Sequence, residues 1–448
     1  MRTLTLVLTA MISTLAVADW PQFLGPDRNG VTEGGRIART WPEGGPKELW
    51  RFDLGPGFGG AAISGGKVYV LDRVPRKEEV LRCLDLATGK EDWTFAYEET
   101  AKDVPSPGSR STPAVDDKCV YTVGCFGAVH CVDKETHKAI WSHNLLKDFG
   151  DATKLPVWGV TQSPVLYKDL VIVAPQNKKV GVLAYKKADG EVAWQSQPIG
   201  SWDTAYASPA VFTVAGKETI VMLSQVAGKG RVNVVGIDPA DGKVLWTFDK
   251  WACGIPIPSP VWCGEDRFFL TGGYDAGSAM FQVEKKGDQY VTTALWNDKG
   301  RMRGADGKDK PGEEKAKERE TMVSGHLHNA LFYKGHLYLN GNSVQNSGVI
   351  GLVCLDLTGK ILWKTDKKPG FDMGDAILVD DLILAMDGAN PAGGTLRLVQ
   401  ASPDAYKQLA EAKVLDQKKT VWACMSFSDG KLIVRDNRTM KCLDLRGQ

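Results

Sequence analysis

His326 and His328 stand two apart, and alternate residues of a strand face the same side, so their imidazoles could share one metal ion. Such a site needs a third ligand, and the sequence names none: His336 falls in the following strand and the other histidines lie far off in the chain. Hydrogen bonding, not metal binding, is therefore the expectation for this pair. Asp306-Gly307-Lys308-Asp309 lacks the alternating acidic ligands and the closing glutamate of a calcium loop. The carboxylate pairs Asp116-Asp117 and Asp380-Asp381 stand where hairpin turns are expected, and turn chemistry accounts for them. No nucleophile elbow, phosphate-binding loop or zinc-protease helix is present, and nothing nominates two carboxylates facing across a cleft. No catalytic residue is expected.

The elements that must position any site announce themselves by repetition. Seven strand-like runs end in tryptophan, the clearest being Thr88-Gly89-Lys90-Glu91-Asp92-Trp93, Asp241-Gly242-Lys243-Val244-Leu245-Trp246 and Thr358-Gly359-Lys360-Ile361-Leu362-Trp363. Each repeat holds four short runs rich in Val, Ile, Tyr and Trp, separated by Gly, Asp and Lys turns, the pattern of a β-meander. Successive tryptophans from Trp50 are spaced by 43, 48, 53, 52 and 50 residues, which suits one four-stranded propeller blade per repeat. Inner strands starting near Ala61, Ser111, Ser163, Ser208, Ser259, Asn329, Asp375 and Met425 predict an all-β, eight-bladed propeller. The last blade runs out at Leu445 with three strands, so the segment around Trp50 is expected to complete it. Trp93, Trp141, Trp194, Trp246 and Trp363 read as docks, each ring buried against the adjacent blade with its indole N–H on a carbonyl.

On Cys83-Leu84-Asp85-Leu86-Ala87-Thr88-Gly89-Lys90-Glu91-Asp92-Trp93 and its relatives, the chain resembles the PQQ-like β-propeller repeat proteins, which include quinoprotein alcohol dehydrogenases and the outer-membrane assembly propeller BamB. The resemblance runs from about Leu49 to Leu445, and the opening Asp19-Trp20-Pro21-Gln22-Phe23-Leu24-Gly25-Pro26 looks like the start of exported members. It implies a propeller and, in the enzymes, PQQ held with calcium and a disulfide between adjacent cysteines. This chain has no adjacent cysteine pair and no Cys-x-x-Cys-His haem segment. No cofactor is expected from the residues themselves.

In a propeller, the joins from outer strand to next inner strand gather around one end of the central channel. Here they carry Phe58, Arg110, Trp158 with Gln162, Trp202 with Tyr206, Trp251, His326 with His328, Phe371 with Asp372, and Trp422. Two arrangements are open: a ligand-binding collar, for which Arg110, Trp158, Gln162, Trp202, Tyr206, His326, His328, Asp372 and Trp422 are the candidates, or a plug of packed rings. Residues 298–320 insert a run of alternating charge, expected as a solvated loop with one helical turn near Glu313–Glu320, the alternative being a lid or partner contact on the channel-mouth face.

The formal charge of +1 gives no broad field for nucleic acid or anionic lipid. Residues 1–18 read as a secretory signal cleaved after Ala18, followed by an extension over 19–46 and the propeller over 47–448, with no membrane span. Cys83, Cys131, Cys354 and Cys442 share one repeat position and read as buried hydrophobes, while pairing of Cys119 with Cys125 or Cys253 with Cys263 stays open. The expectation is a periplasmic or secreted monomer that binds a protein of the cell envelope or a small ligand at the channel mouth, without redox chemistry of its own. A quinoprotein-type dehydrogenase and an outer-membrane assembly scaffold are the alternatives.

Overall fold

Short apolar runs joined by tight turns fold into sheets that each pair only with their sequence neighbours. The computed structural model describes residues 19–447 except 103, 106–107, 150–154, 201–205, 227–230, 275, 299–301, 304–308, 311–321, 342–350, 390–392 and 417–419. The proposed signal segment, Trp202 and most of the charged insertion, including its expected helical turn, lie outside the described residues; within the insertion, Met302–Arg303 pairs with Asp309–Lys310.

Eight four-stranded antiparallel blades run over 61–98, 114–144, 165–195, 210–248, 261–297, 331–364, 376–413 and 426–444, the last completed by Lys47–Asp53. That N-terminal strand pairs antiparallel with Thr439–Asp444, Lys47 opposite Asp444 and Asp53 opposite Thr439, as expected. First strands of adjacent blades touch one another, including Ala61–Ser64 against Ser426–Ser428, so the ring closes with those strands innermost. The apolar core is distributed between blades, as where Val221, Trp246, Phe268 and Phe281 pack across blades 4 and 5.

The repeat tryptophans meet their neighbours in more than one way. Trp50, Trp141, Trp194, Trp296 and Trp363 donate their indole N–H to the carbonyls of Leu86, Lys187, Pro239, Leu357 and Ser402 in the next blade, at 2.8 to 2.9 Å. The turn glycine explains the motif. Gly242 has φ 77°, and a Cβ there would fall 2.5 Å from the Trp194 ring, so both backbone and neighbour exclude a side chain. Trp93 instead stacks on His137 of blade 2, ring centroids 4.7 Å apart. Trp246 is buried with its indole nitrogen unpartnered, packed on Phe268 and Phe281.

A second repeated position links the inner strands into a belt. The amides of Thr112, Ser163 and Ser208 donate to Oγ of Ser163, Ser208 and Ser259, each in the next blade, and Ser259 N–H donates to Asn329 Oδ1, at 2.9 to 3.1 Å. At the equivalent place in blade 7 stands Asp375, whose carboxylate can only accept. It reaches forward, taking the Met425 amide on Oδ2 at 2.7 Å.

The segment 19–46 is a strap. Trp20 exchanges two backbone bonds with Ile63 of blade 1, Val115 N–H donates to Pro21 O in blade 2, Arg28 reaches Pro164 O in blade 3, and Val31–Thr32 adds as a parallel strand to blade 7. Asp380, which sequence assigned to turn chemistry, accepts the amides of Gly34 and Gly35, and Asp381 takes the Arg39 guanidinium on both oxygens. The contacts with Ile63, Val115 and Val379 place the strap at the far ends of the inner strands, and Arg28 reaches inward to Pro164 at the start of one. The cysteines form no disulfide among the described residues, so neither pairing left open is made. Cys253 and Cys263 pack in different inter-blade cores.

Candidate functional site

The outer-to-inner joins converge at the end of the channel opposite the strap, and there the residues divide into plug and shelf. Trp251 and Phe371 are fully buried, Trp251 donating to Ala276 O and Phe371 lying under the Arg397 guanidinium at 5.2 Å. Gln162 is buried with both ends of its amide bonded to the backbone of Ala174, which ties it to its own blade rather than to the channel. The Asp372 carbonyl accepts from Asn340 Nδ2 at 2.5 Å. Trp158 meets Tyr206 edge to face at 5.7 Å, with Tyr206 buried and Trp158 half-buried. Trp202 lies outside the described residues.

Three collar residues form a continuous shelf across the ring closure. Phe58 stacks on Trp422 with centroids 5.7 Å apart and planes at 26°, and the Arg110 guanidinium lies 5.2 Å over Phe58. All three are half-buried, and the Arg110 guanidinium also donates to Pro105 O at 2.9 Å. Burial lowers the Arg110 pKa from its ordinary value.

The two histidines occupy different surroundings. His326 meets Tyr274 edge to face at 5.0 Å, with Nδ1 3.1 Å from Met373 Sδ and Nε2 buried and unpartnered. Burial, then the neighbouring His328, pushes its pKa down to about 4. His328 sits at the start of blade 6 with Nδ1 3.0 Å from Asp375 Oδ1 and 3.8 Å from Cys424 Sγ. The Asp375 contact is within ion-pair range but lacks hydrogen-bond alignment, so Oδ1 is left without a hydrogen bond. Burial, then Asp375, pushes the Cys424 thiol pKa well up. Sequence named no third ligand for this histidine; the fold brings two from the next two blades.

Asp375 was legible only as the start of an inner strand, and Cys424 had no reading at all. The one available signal was a carboxylate standing where the belt positions of blades 3 to 6 carry Ser or Asn. At the strap end, a cavity of about 560 Å³ is lined by Arg28 and Asn29 with Leu166, Phe212, Trp262 and Phe332.

A family model described as Outer membrane protein assembly factor BamB matches residues 76–248. These are PQQ-like propeller repeats. Among solved structures, quinohemoprotein alcohol dehydrogenase from Comamonas testosteroni superposes with a TM-score of 0.65 at 14% identity, over 96% of this chain and 81% of that one. A europium-containing methanol dehydrogenase gives 0.61 at 13%, over 93% and 89%. BamB from Moraxella catarrhalis gives 0.54 at 12%, over 89% and 99%. At these identities the likeness carries the fold alone. Comparison with curated proteins finds no match.

Among the described residues, the His, Cys, Asp and Glu side chains that come close enough to share an ion are poorly suited to the calcium that accompanies PQQ in the enzymes this chain resembles. Calcium takes six to eight oxygen ligands. Among the described residues, the one group of potential metal ligands gathers an imidazole, a thiol and a single carboxylate.

Proposed function

We propose that this PQQ-like propeller is an exported, monomeric binding module whose channel mouth takes a segment of an envelope protein or a small ligand, without redox chemistry of its own. The observation carrying this reading is the half-buried shelf of Arg110, Phe58 and Trp422. Aromatic faces capped by a guanidinium suit a flat or peptide-like group with an acidic or carbonyl edge. Binding to a protein has additional support from the family model, whose description names an assembly factor. A dehydrogenase reading draws on the fold likeness alone.

The test is affinity capture from envelope extract with the full chain and with an Arg110→Ala/Trp422→Ala double variant. A partner retained by the wild type and lost by the variant is expected. Equal capture by both would move binding off the shelf. Dye reduction by an alcohol in the presence of added PQQ and Ca²⁺, above background, would overturn the non-redox reading.

A further inference from the structure

We propose that His328, Asp375 and Cys424 form a mononuclear site for a zinc-class divalent metal ion, with a fourth position open to water at the channel mouth. The three side chains come from the starts of blades 6, 7 and 8, and their ligand atoms all lie within 4.8 Å of one another. Convergence over three blades is what a propeller's inner strands can supply and a single hairpin cannot.

The donor set selects the ion class. Imidazole, carboxylate and thiolate are the ligands zinc accepts, and three of them with one open position is the composition of reactive zinc sites. Zinc–ligand lengths of about 2.0 to 2.3 Å at tetrahedral angles put ligand N and O about 3.3 Å apart, and N and S about 3.6 Å. The distances from His328 Nδ1 are 3.0 Å to Asp375 Oδ1 and 3.8 Å to Cys424 Sγ. Each is within a few tenths of an ångström of what the ion requires.

Two features separate this from a catalytic triad or a packed polar pair. In a nucleophile–base–carboxylate relay the thiol and the carboxylate engage opposite ring nitrogens; here both approach Nδ1. Asp375, 2% exposed, keeps Oδ1 without a hydrogen bond while Oδ2 carries the belt contact to Met425. A buried carboxylate oxygen facing an imidazole and a thiol, with no hydrogen bond of its own, is a cost that a metal removes. Belt positions in blades 3 to 6 manage with Ser or Asn, so the belt by itself does not require a carboxylate.

Binding replaces the thiol proton by the metal and releases it to solvent, so affinity rises with pH. The site stands whether or not the Arg110 shelf takes a ligand. The test uses the full chain, stripped with chelator under reducing conditions and titrated with Co²⁺. One Co²⁺ per chain is expected, with the strong visible bands of a four-coordinate site, a thiolate-to-cobalt charge-transfer band in the near ultraviolet, and displacement by Zn²⁺. Cys424→Ala should lose the charge-transfer band while keeping its circular dichroism and melting profile. His328→Gln should weaken binding by more than the ~10–100-fold that loss of a supporting partner costs. Absence of the cobalt bands from the wild type, or an unchanged charge-transfer band in Cys424→Ala, overturns the proposal.

Discussion

His130 shows how one buried side chain ties the blade interfaces to pH. It lies on the third strand of blade 2, its ring 4.2 Å from Tyr97 and 5.2 Å from Phe95 of blade 1, with Nδ1 buried and unpartnered. Burial pushes its pKa down to about 4 from 6.5. The unfolded chain therefore takes up a proton between pH 6.5 and 4 that the folded chain refuses, and stability falls as pH drops through that window. By pH 4 the loss reaches up to about 3 kcal/mol for this residue. His326, also held near 4, acts in the same sense. Glu79, which accepts the hydroxyl of the Tyr97 that packs on His130, acts oppositely: burial raises its carboxyl pKa, so its neutral form favours the fold as the medium acidifies. His130→Phe should leave the denaturation midpoint near neutral pH unchanged or raised, and flatten about half of its decline between pH 6.5 and 4. An unchanged acid slope would show that His130 is not a source of it.

At the scale of elements, the strap is the part that repetition could not disclose. Blades were legible because their turns require glycine, their strands alternate, and Trp194 or Trp363 must dock; each of these is a local demand written in residue type. The strap is held by backbone bonds such as Trp20 to Ile63 and by side chains far off in sequence, such as Asp380 and Asp381, whose residue types suit a turn equally well. The site divides the same way. His328 stood out by its spacing from His326, whereas Asp375 and Cys424 join it only through the closure of the ring, Cys424 across 96 residues of chain. Trp20, 1% exposed in the core of blades 7, 8 and 1, is the strap's anchor. Trp20→Ala should cost about 3–5 kcal/mol locally. Limited proteolysis should then cut within 19–46 far faster than in the wild type, while the blades stay protected because Lys47–Asp53 still closes the ring. Equal resistance of both proteins would place the anchor elsewhere.

At the scale of the whole molecule, stability rests on the ring having no free end. Blade 8 takes three strands from the C-terminal end of the propeller and one from its start, so Lys47–Asp53 covers the edge of Thr439–Asp444 that would otherwise present unpaired amides and carbonyls. The same strand carries Trp50, whose ring packs into the blade 7–8–1 core and whose indole bonds Leu86 O in blade 1, so pairing and docking are lost together when it is removed. Trp50→Ala separates them: the edge stays paired while the dock is lost, at a cost of about 3–5 kcal/mol. Unfolding should then begin at a lower denaturant concentration, with the folded protein still monomeric by size exclusion. A chain beginning at residue 54 loses both, and its exposed strand edge should drive association at micromolar concentration, read as a rising light-scattering mass. If that shortened chain ran as a stable monomer, the strand pairing would be dispensable and closure would have to come from the inner-strand contacts between blades 8 and 1.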